Sequence, residues 1–341
     1  MPHWFDRLLG RETKTSASLA LLALPSGVSG ARDIPSLVRE GYERNAIAHR
    51  CIRLIAEASA AISLDTSHAQ VQALLDSPEG SRSGAEFREA LFGYLMIAGN
   101  AYAELRVLDG EPRALELMRP DRMRLRPGKP GQGVIHEYSV GGERRTFLRD
   151  PVSGRSPVFH LRLFNPADDL YGLSPLTAAG SALDLHNAGG RWARALLENS
   201  ARPSGALVVS GEEGRLSEDQ FSRLKAQLSE NYAGSGNAGR PLLLEGGLDW
   251  KPMALSPADM DFTGARREAA REIALALGVP PLLLGLPGDN TYANYKEANR
   301  AFQVQTVQPL VRKTAAALGV WLAPWFGTSL SITPRFEEID A

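Results

Sequence analysis

Apolar positions follow two rhythms along the first half of this chain, and the switch between them divides it. Ile47, Cys51, Leu54, Ile55, Ala58 and Ile62 recur at three- and four-residue steps, which predicts a helix over 43–63. A second helix is predicted over 84–98. Ser83 with Glu86 three residues on opens it as a capping box, and Gly99-Asn100 closes it. From Ala101 the period shortens to two. AYAELRV (101–107) and RALELM (113–118) flank Asp109-Gly110, and VIHEYSV (134–140) and RRTFL (144–148) flank Gly141-Gly142, so both pairs read as hairpins. VFHLRLF (158–164) is a further strand. Residues 40–170 therefore read as an α+β unit of two helices and five strands, preceded by a flexible arm over 1–40 in which HWFDRLLG has an amphipathic pattern suited to docking.

The second half returns to helical spacing. Ser174-Pro175 opens a helix over 175–201, with proline at its first position. Gly180, Gly189 and Gly190 weaken it intrinsically and point to close packing with a neighbour, such as another subunit. A small module occupies 203–255. It holds a strand at ALVVS, a helix SEDQFSRLKAQLSENY boxed by Ser217 and Gln220, a flexible loop AGSGNAG (233–239), and a strand-turn-strand at PLLLEGGLDWKPM. A second bracketing helix has Ser256 as its cap and Pro257 at its first position, and stops at Gly278 before Val279-Pro280-Pro281. An apolar loop follows, then a helix over 293–318 that Pro309 should kink, then a strand at SLSIT (329–333).

Composition narrows the function more than the fold. The 341 residues are 43% hydrophobic and 23% charged, with a net charge of −1 at pH 7. That balance argues against tight nucleic-acid binding by charge, which calls for a strongly basic surface. Cys51 stands alone, so no disulfide forms within the chain, a reducing compartment is expected, and the thiol reads as a buried small hydrophobe. No apolar run reaches the ~18 residues that a membrane span needs. SLALLALPSGVSGA (18–31) is rejected as a signal peptide because its apolar stretch is short and Asp6 and Glu12 precede it.

Catalytic signatures are absent: there is no GxxxxGK[ST], no GxGxxG after a strand, no HExxH and no GxSxG. The six histidines lack metal-ligand spacing. Asp259 and Asp261 fall in the first turn of a predicted helix, where acids meet the dipole favourably. Asp168-Asp169 and Asp289-Asn290 read as solvated loop and turn residues. Arg266, Arg267 and Arg271 share a helix with Glu268 and Glu272, a mixed charged face. No cofactor or metal is expected, and the chain does not read as an enzyme.

The order of these parts resembles the portal proteins of tailed bacteriophages, found also in prophages and gene transfer particles. NAIAHRCIRLIAEA (45–58), LYGLSPLTAA (170–179), ARPSGALVV (201–209), RPLLLEGGLDWKPMALSPADMDF (240–262) and REIALALGVPPLLLGLPGDNTYANYKEANRAF (271–302) carry the resemblance. It implies a portal-type α+β fold, with 41–170 as the first part of a wing, 171–202 and 256–278 as stem helices, 203–255 as a clip, 279–294 as a tunnel loop, and 295–341 as the second part of the wing. The usual helical crown would be short or missing. It further implies a ring, usually of twelve subunits, at the capsid vertex of the virion, assembled in the bacterial host cytoplasm. Double-stranded DNA would pass through it. The major capsid protein, the terminase motor and a head-tail adaptor would be its partners. Leu286, Pro287, Gly288, Asp289, Asn290, Thr291 and Tyr292 would line the DNA channel, Arg266, Arg267 and Arg271 would face the channel or a neighbouring subunit, and Glu245, Asp249 and Trp250 would serve docking at the clip.

The charges fit a conduit. In 175–201, Asp184 and Glu198 cancel Arg191 and Arg194, while 257–278 carries one acid in excess, and 279–296 holds only Asp289 and Lys296. DNA affinity grows with the phosphates neutralised and counterions released, so a wall without a basic stripe lets DNA slide. Two other readings compete: a metal-dependent nuclease using Asp259 and Asp261, and a non-viral ring-forming adaptor that never touches DNA.

Overall fold

Asn45 starts the first long helix, and its side chain shows why. Its Oδ1 accepts from the backbone N–H groups of Ile47 at 3.1 Å and Ala48 at 3.0 Å, satisfying two donors that the helix α1 (Ala46–Ala61) leaves open. The computed structural model describes residues 32–129, 133–198, 205–209, 217–232, 248–252, 262–286, 292–327 and 329–336. After α1 come β1 (Ser63–Asp65), α2 (Ala69–Asp76) and α3 (Gly84–Ala98), the last opened by the expected Ser83–Glu86 capping box and closed by Gly99 in the left-handed region.

Next come β2 (Asn100–Leu108), β3 (Glu111–Met118), β4 (Met123–Pro127), β5 (Val134–Val140), β6 (Glu143–Phe147) and β7 (Val158–Arg162). Both hairpin turns use positive φ at two successive residues, Asp109 (53°) with Gly110 (81°) and Gly141 (58°) with Gly142 (89°), the backbone that two-residue hairpins require. The strands form two antiparallel three-stranded sheets, β3-β2-β7 and β4-β5-β6.

The second half holds α4 (Pro175–Ala178), α5 (Gly180–Glu198), β8 (Gly205–Val209), α6 (Glu218–Tyr232), β9 (Leu248–Pro252), α7 (Phe262–Ala276), α8 (Tyr292–Phe302), α9 (Gln308–Phe326) and β10 (Thr333–Arg335). The Ser217–Gln220 box caps α6 in both directions, at 2.9 and 3.2 Å, and β8 pairs antiparallel with β9. β10 pairs with β1, which returns the end of the described chain to its beginning.

Several expectations need correction. Residues 34–40, assigned to the loose arm, are helical and lead into a wide π-type stretch over Leu37–Glu43, and Leu37 is buried in the core. The 40–170 unit contains α2, β1 and β4 beyond the two helices and five strands expected. The helix over 175–201 breaks at Ala179. The last long helix runs on to Phe326 instead of stopping near 318, because Gly319 sits inside it as a packing residue: a Cβ there would lie 2.9 Å from the Leu330 carbonyl. The final strand is Thr333–Arg335, not 329–333.

One continuous apolar core joins the two halves. Cys51, Ile52 and Ile55 of α1, Leu91 and Leu95 of α3, Leu176 of α4, Leu183 of α5, Ile273 and Leu277 at the end of α7, and Val311 and Leu322 of α9 all contribute to it. Burying one such side chain contributes about 1.5–3 kcal/mol. A second cluster, Tyr102, Met118, Met123, Leu125 and Val158, lies where the two sheets meet.

Candidate functional site

The pair α5 and α7 is fastened to the body at two places. On α5, positions 180, 184 and 187 share one face. Arg32 forms an ion pair with Asp184 and donates to the Gly180 carbonyl at 3.0 Å. Asn45, already capping α1, donates from Nδ2 to Asn187 Oδ1 at 2.9 Å and meets His186 Nδ1 at 3.2 Å. Asn187 in turn donates to the Glu40 carbonyl at 2.9 Å. Burial, and then the charge of Arg266, hold the His186 pKa below its ordinary value, so the ring stays neutral and its Nδ1 accepts.

Along the crossing, the α5 glycines admit α7 of the same chain. A Cβ on Gly189 would lie 2.9 Å from Arg266 Cγ, so only glycine lets the arginine stem lie flat across the helix. Arg266 Nε is buried there without a partner.

The second fastening ends α7. Gly278 takes φ 69°, its N–H bonds the Leu275 carbonyl at 3.0 Å, and the Val279 N–H bonds the Ala274 carbonyl at 2.9 Å. This is a Schellman stop, with Val279 buried beneath it. A 3-10 turn over Pro281–Leu284 follows, closed by Gly285 at φ 69°, and Leu283 and Leu284 pack against the core. The first part of the apolar loop is thus anchored rather than free. From the far side, Thr306 Oγ1 donates to the Gly278 carbonyl at 2.6 Å. Thr306 belongs to a wide π-type turn, Gln303–Val307, immediately before Pro309. Proline offers no N–H to the preceding turn, and the widened turn accommodates that loss.

The residues singled out from the sequence are placed unevenly. Leu286 is half-buried at the edge of the described loop, Tyr292 opens α8, and Pro287, Gly288, Asp289, Asn290 and Thr291 lie outside the described residues. Asp249 and Trp250 stand on β9 opposite Val208 and Leu207, and Glu245 lies outside. Arg266 faces α5, whereas Arg267 is exposed and Arg271 reaches Glu268 at 3.5 Å, so the three arginines do not form one face. Asp259 and Asp261 lie outside the described residues. Asp168 accepts from the N–H groups of Leu170 at 2.7 Å and Tyr171 at 3.0 Å, a turn role. Cys51 is fully buried, and burial pushes its thiol up to about 12. Among the described residues no His, Cys, Asp and Glu group could hold a metal ion, and no helix is long and apolar enough to cross a membrane.

One joint escaped the sequence reading. Asn100, buried at the start of β2, donates to the Ala98 and Gly172 carbonyls at 2.9 and 3.1 Å, and accepts from the Gly172 N–H at 2.8 Å and from His160 Nε2 at 3.0 Å. It binds the sheet to the segment that launches α4 and α5. The only signal was its place after a helix-ending glycine.

Comparison with known proteins follows the same outline. The family described as phage portal protein matches residues 46–341. A protein of Rickettsia bellii is 39% identical over 318 residues, covering 89% of this chain and 80% of its own. The portal protein of Enterobacteria phage HK97 is 27% identical over 292 residues, covering 81% of this chain and 66% of its own. A chain in the neck of a native gene transfer agent particle, computed with C12 symmetry, is 45% identical with a TM-score of 0.70, and covers 95% of this chain and 90% of that one. The chain belongs to the phage portal protein family.

Proposed function

We propose that this chain builds the ring through which double-stranded DNA enters and leaves a phage-like capsid. In this reading α1–β7 with 295–341 is the wing, α5 and α7 are the stem, 203–255 is the clip, and 279–294 is the tunnel loop. The ring stands at the portal vertex of a virion and takes twelve copies, in keeping with the C12 symmetry of the similar neck. The clip, with Glu245, Asp249 and Trp250, is the surface offered first to a packaging motor and later to a head-tail adaptor, and the wing meets the major capsid protein. The protein acts as a conduit and not as an enzyme.

The observation that carries the reading is the double pinning of Gly278. A loop that touches moving DNA must spring from a rigid point, and here the Schellman stop and the Thr306 hydrogen bond hold its root. The electrostatics agree. The acids of 175–201 equal its arginines and those of 257–278 outnumber them by one, so the stem carries no net positive charge to hold phosphate. Duplex binding by the purified full-length ring, measured against salt, tests this: weak binding with a shallow salt slope is expected. Tight binding that collapses as salt rises would overturn it.

A further inference from the structure

α8 is the first part of a helical run that continues through the π-type turn Gln303–Val307 into α9. Residues 293–297, 299 and 300 are exposed, and only Ala298, Ala301 and Phe302 turn into the body. Within its own chain α8 meets the Pro281–Leu284 turn and does not lie along α7. α7 is buried on one side, through Ala270, Ile273 and Leu277, and exposed on the other. Each helix therefore offers an outward face that its own chain leaves uncovered.

The two outward faces are opposite in charge. On α7 the stripe facing away from Ala270, Ile273 and Leu277 holds Glu268, Glu272 and Leu275, the last 78% exposed. On α8 the stripe facing away from Ala298 and Phe302 holds Lys296 and Arg300, and one turn on stands Val304, 49% exposed. Among the described residues Glu272, Lys296 and Arg300 enter no ion pair, and Glu268 reaches Arg271 alone, at 3.5 Å. Like charges one turn apart repel along each helix, a cost that an opposite stripe would offset.

The spacing matches as well. Glu268 and Glu272, like Lys296 and Arg300, are four residues apart, about 6 Å along a helix axis, so two ion pairs can form in register. Either helix direction satisfies those four charges. Only the parallel direction also sets Leu275 opposite Val304. The flanks agree with it: Arg267 and Arg271 border the α7 stripe on one side, and Glu297 borders the α8 stripe on the other. In a parallel pair opposite flanks meet, as e and g positions do in a coiled coil. Every charge of the two helices is then matched except that of Arg266, which lies across the α5 glycines.

We propose that α7 of one copy packs parallel against α8 of the next, with Glu268 on Lys296, Glu272 on Arg300 and Leu275 on Val304. This rests on the ring reading above and names the head-to-tail contact that closes it, two different faces of one chain meeting in turn around the ring. Electron microscopy of the full-length protein tests it, with wild-type rings as the reference. Glu268→Lys with Glu272→Lys, and separately Lys296→Glu with Arg300→Glu, should each abolish rings. An equimolar mixture of the two variants should restore them, because every stripe then meets its opposite across alternating copies, and that recovery shows both variants to be folded. Rings from either variant alone, or a mixture that stays unassembled, overturn this interface and leave the ring reading standing. A wild type that forms no rings overturns the ring reading, and this interface with it.

Discussion

Thr306 and Gly278, 28 residues apart in sequence, meet through a 2.6 Å hydrogen bond from Oγ1 to the carbonyl of the residue that ends α7. The same glycine needs its left-handed backbone and leaves no room for a Cβ, which would lie 2.9 Å from Thr306 Oγ1. One contact therefore joins the helix before the loop to the helix after it.

Gly278→Ala should destabilise the protein by about 1–3 kcal/mol, since an L side chain must take a strained φ and push against Thr306. Thr306→Val should cost about 1 kcal/mol, and Thr306→Ser should recover most of that. Urea unfolding midpoints of the three variants check the order.

Asn100→Ala should cost about 2–4 kcal/mol, because it strands the Gly172 N–H and removes donors from two carbonyls in a buried site. Hydrogen exchange should rise first in the segment entering α4, before global unfolding. Equal loosening across the whole chain would contradict the role given to this residue.

Acid should loosen the inter-sheet cluster. Burial pushes His136 down to about 4 and His160 to about 3, with the neighbouring charges of His136 and Arg162 adding to the latter. Tyr102 stacks on His160 at 4.4 Å, and His136 stands 5.9 Å from His160. A depressed histidine pKa means that the unfolded chain binds the proton first. The stabilisation is complete above about pH 6.5 and is lost as pH falls toward 4, by at most about 1.4 kcal/mol per unit and per histidine. Unfolding midpoints between pH 7.5 and 4.5 should show this slope, and His136→Gln should flatten it.

Much of this was legible in the sequence wherever a single local rule decides. Asp109-Gly110 and Gly141-Gly142 marked their hairpins, Ser83 and Ser217 marked their helix starts, and Gly278 marked a helix end, because turn and cap chemistry is written in two to four residues. What escaped depended on distant partners. Gly319 looked like a helix stop and is instead a contact for Leu330. The wide turn over Gln303–Val307, just before Pro309, has no short signature in the sequence. β4 alternates too briefly to stand out and exists because β5 pairs with it. The Asn45, His186 and Asn187 joint spans more than 140 residues, and no local pattern announces it.

Grip is expected to be tunable. Asn290→Lys would add one cation per subunit to the loop 279–294, whose only charged residue is Asp289. If the loop faces DNA, binding tightens and the slope of log K against log salt steepens by about 0.9 for each phosphate engaged. An unchanged slope would place residue 290 away from the duplex.

The central claim is a ring with a passage for DNA, and direct imaging of purified full-length protein by electron microscopy tests it most squarely. Closed rings, with a central channel wide enough for duplex DNA and lined by the α5–α7 pair, are predicted. A monodisperse monomer that persists at high concentration, or rings whose centre is filled by protein, would contradict the account.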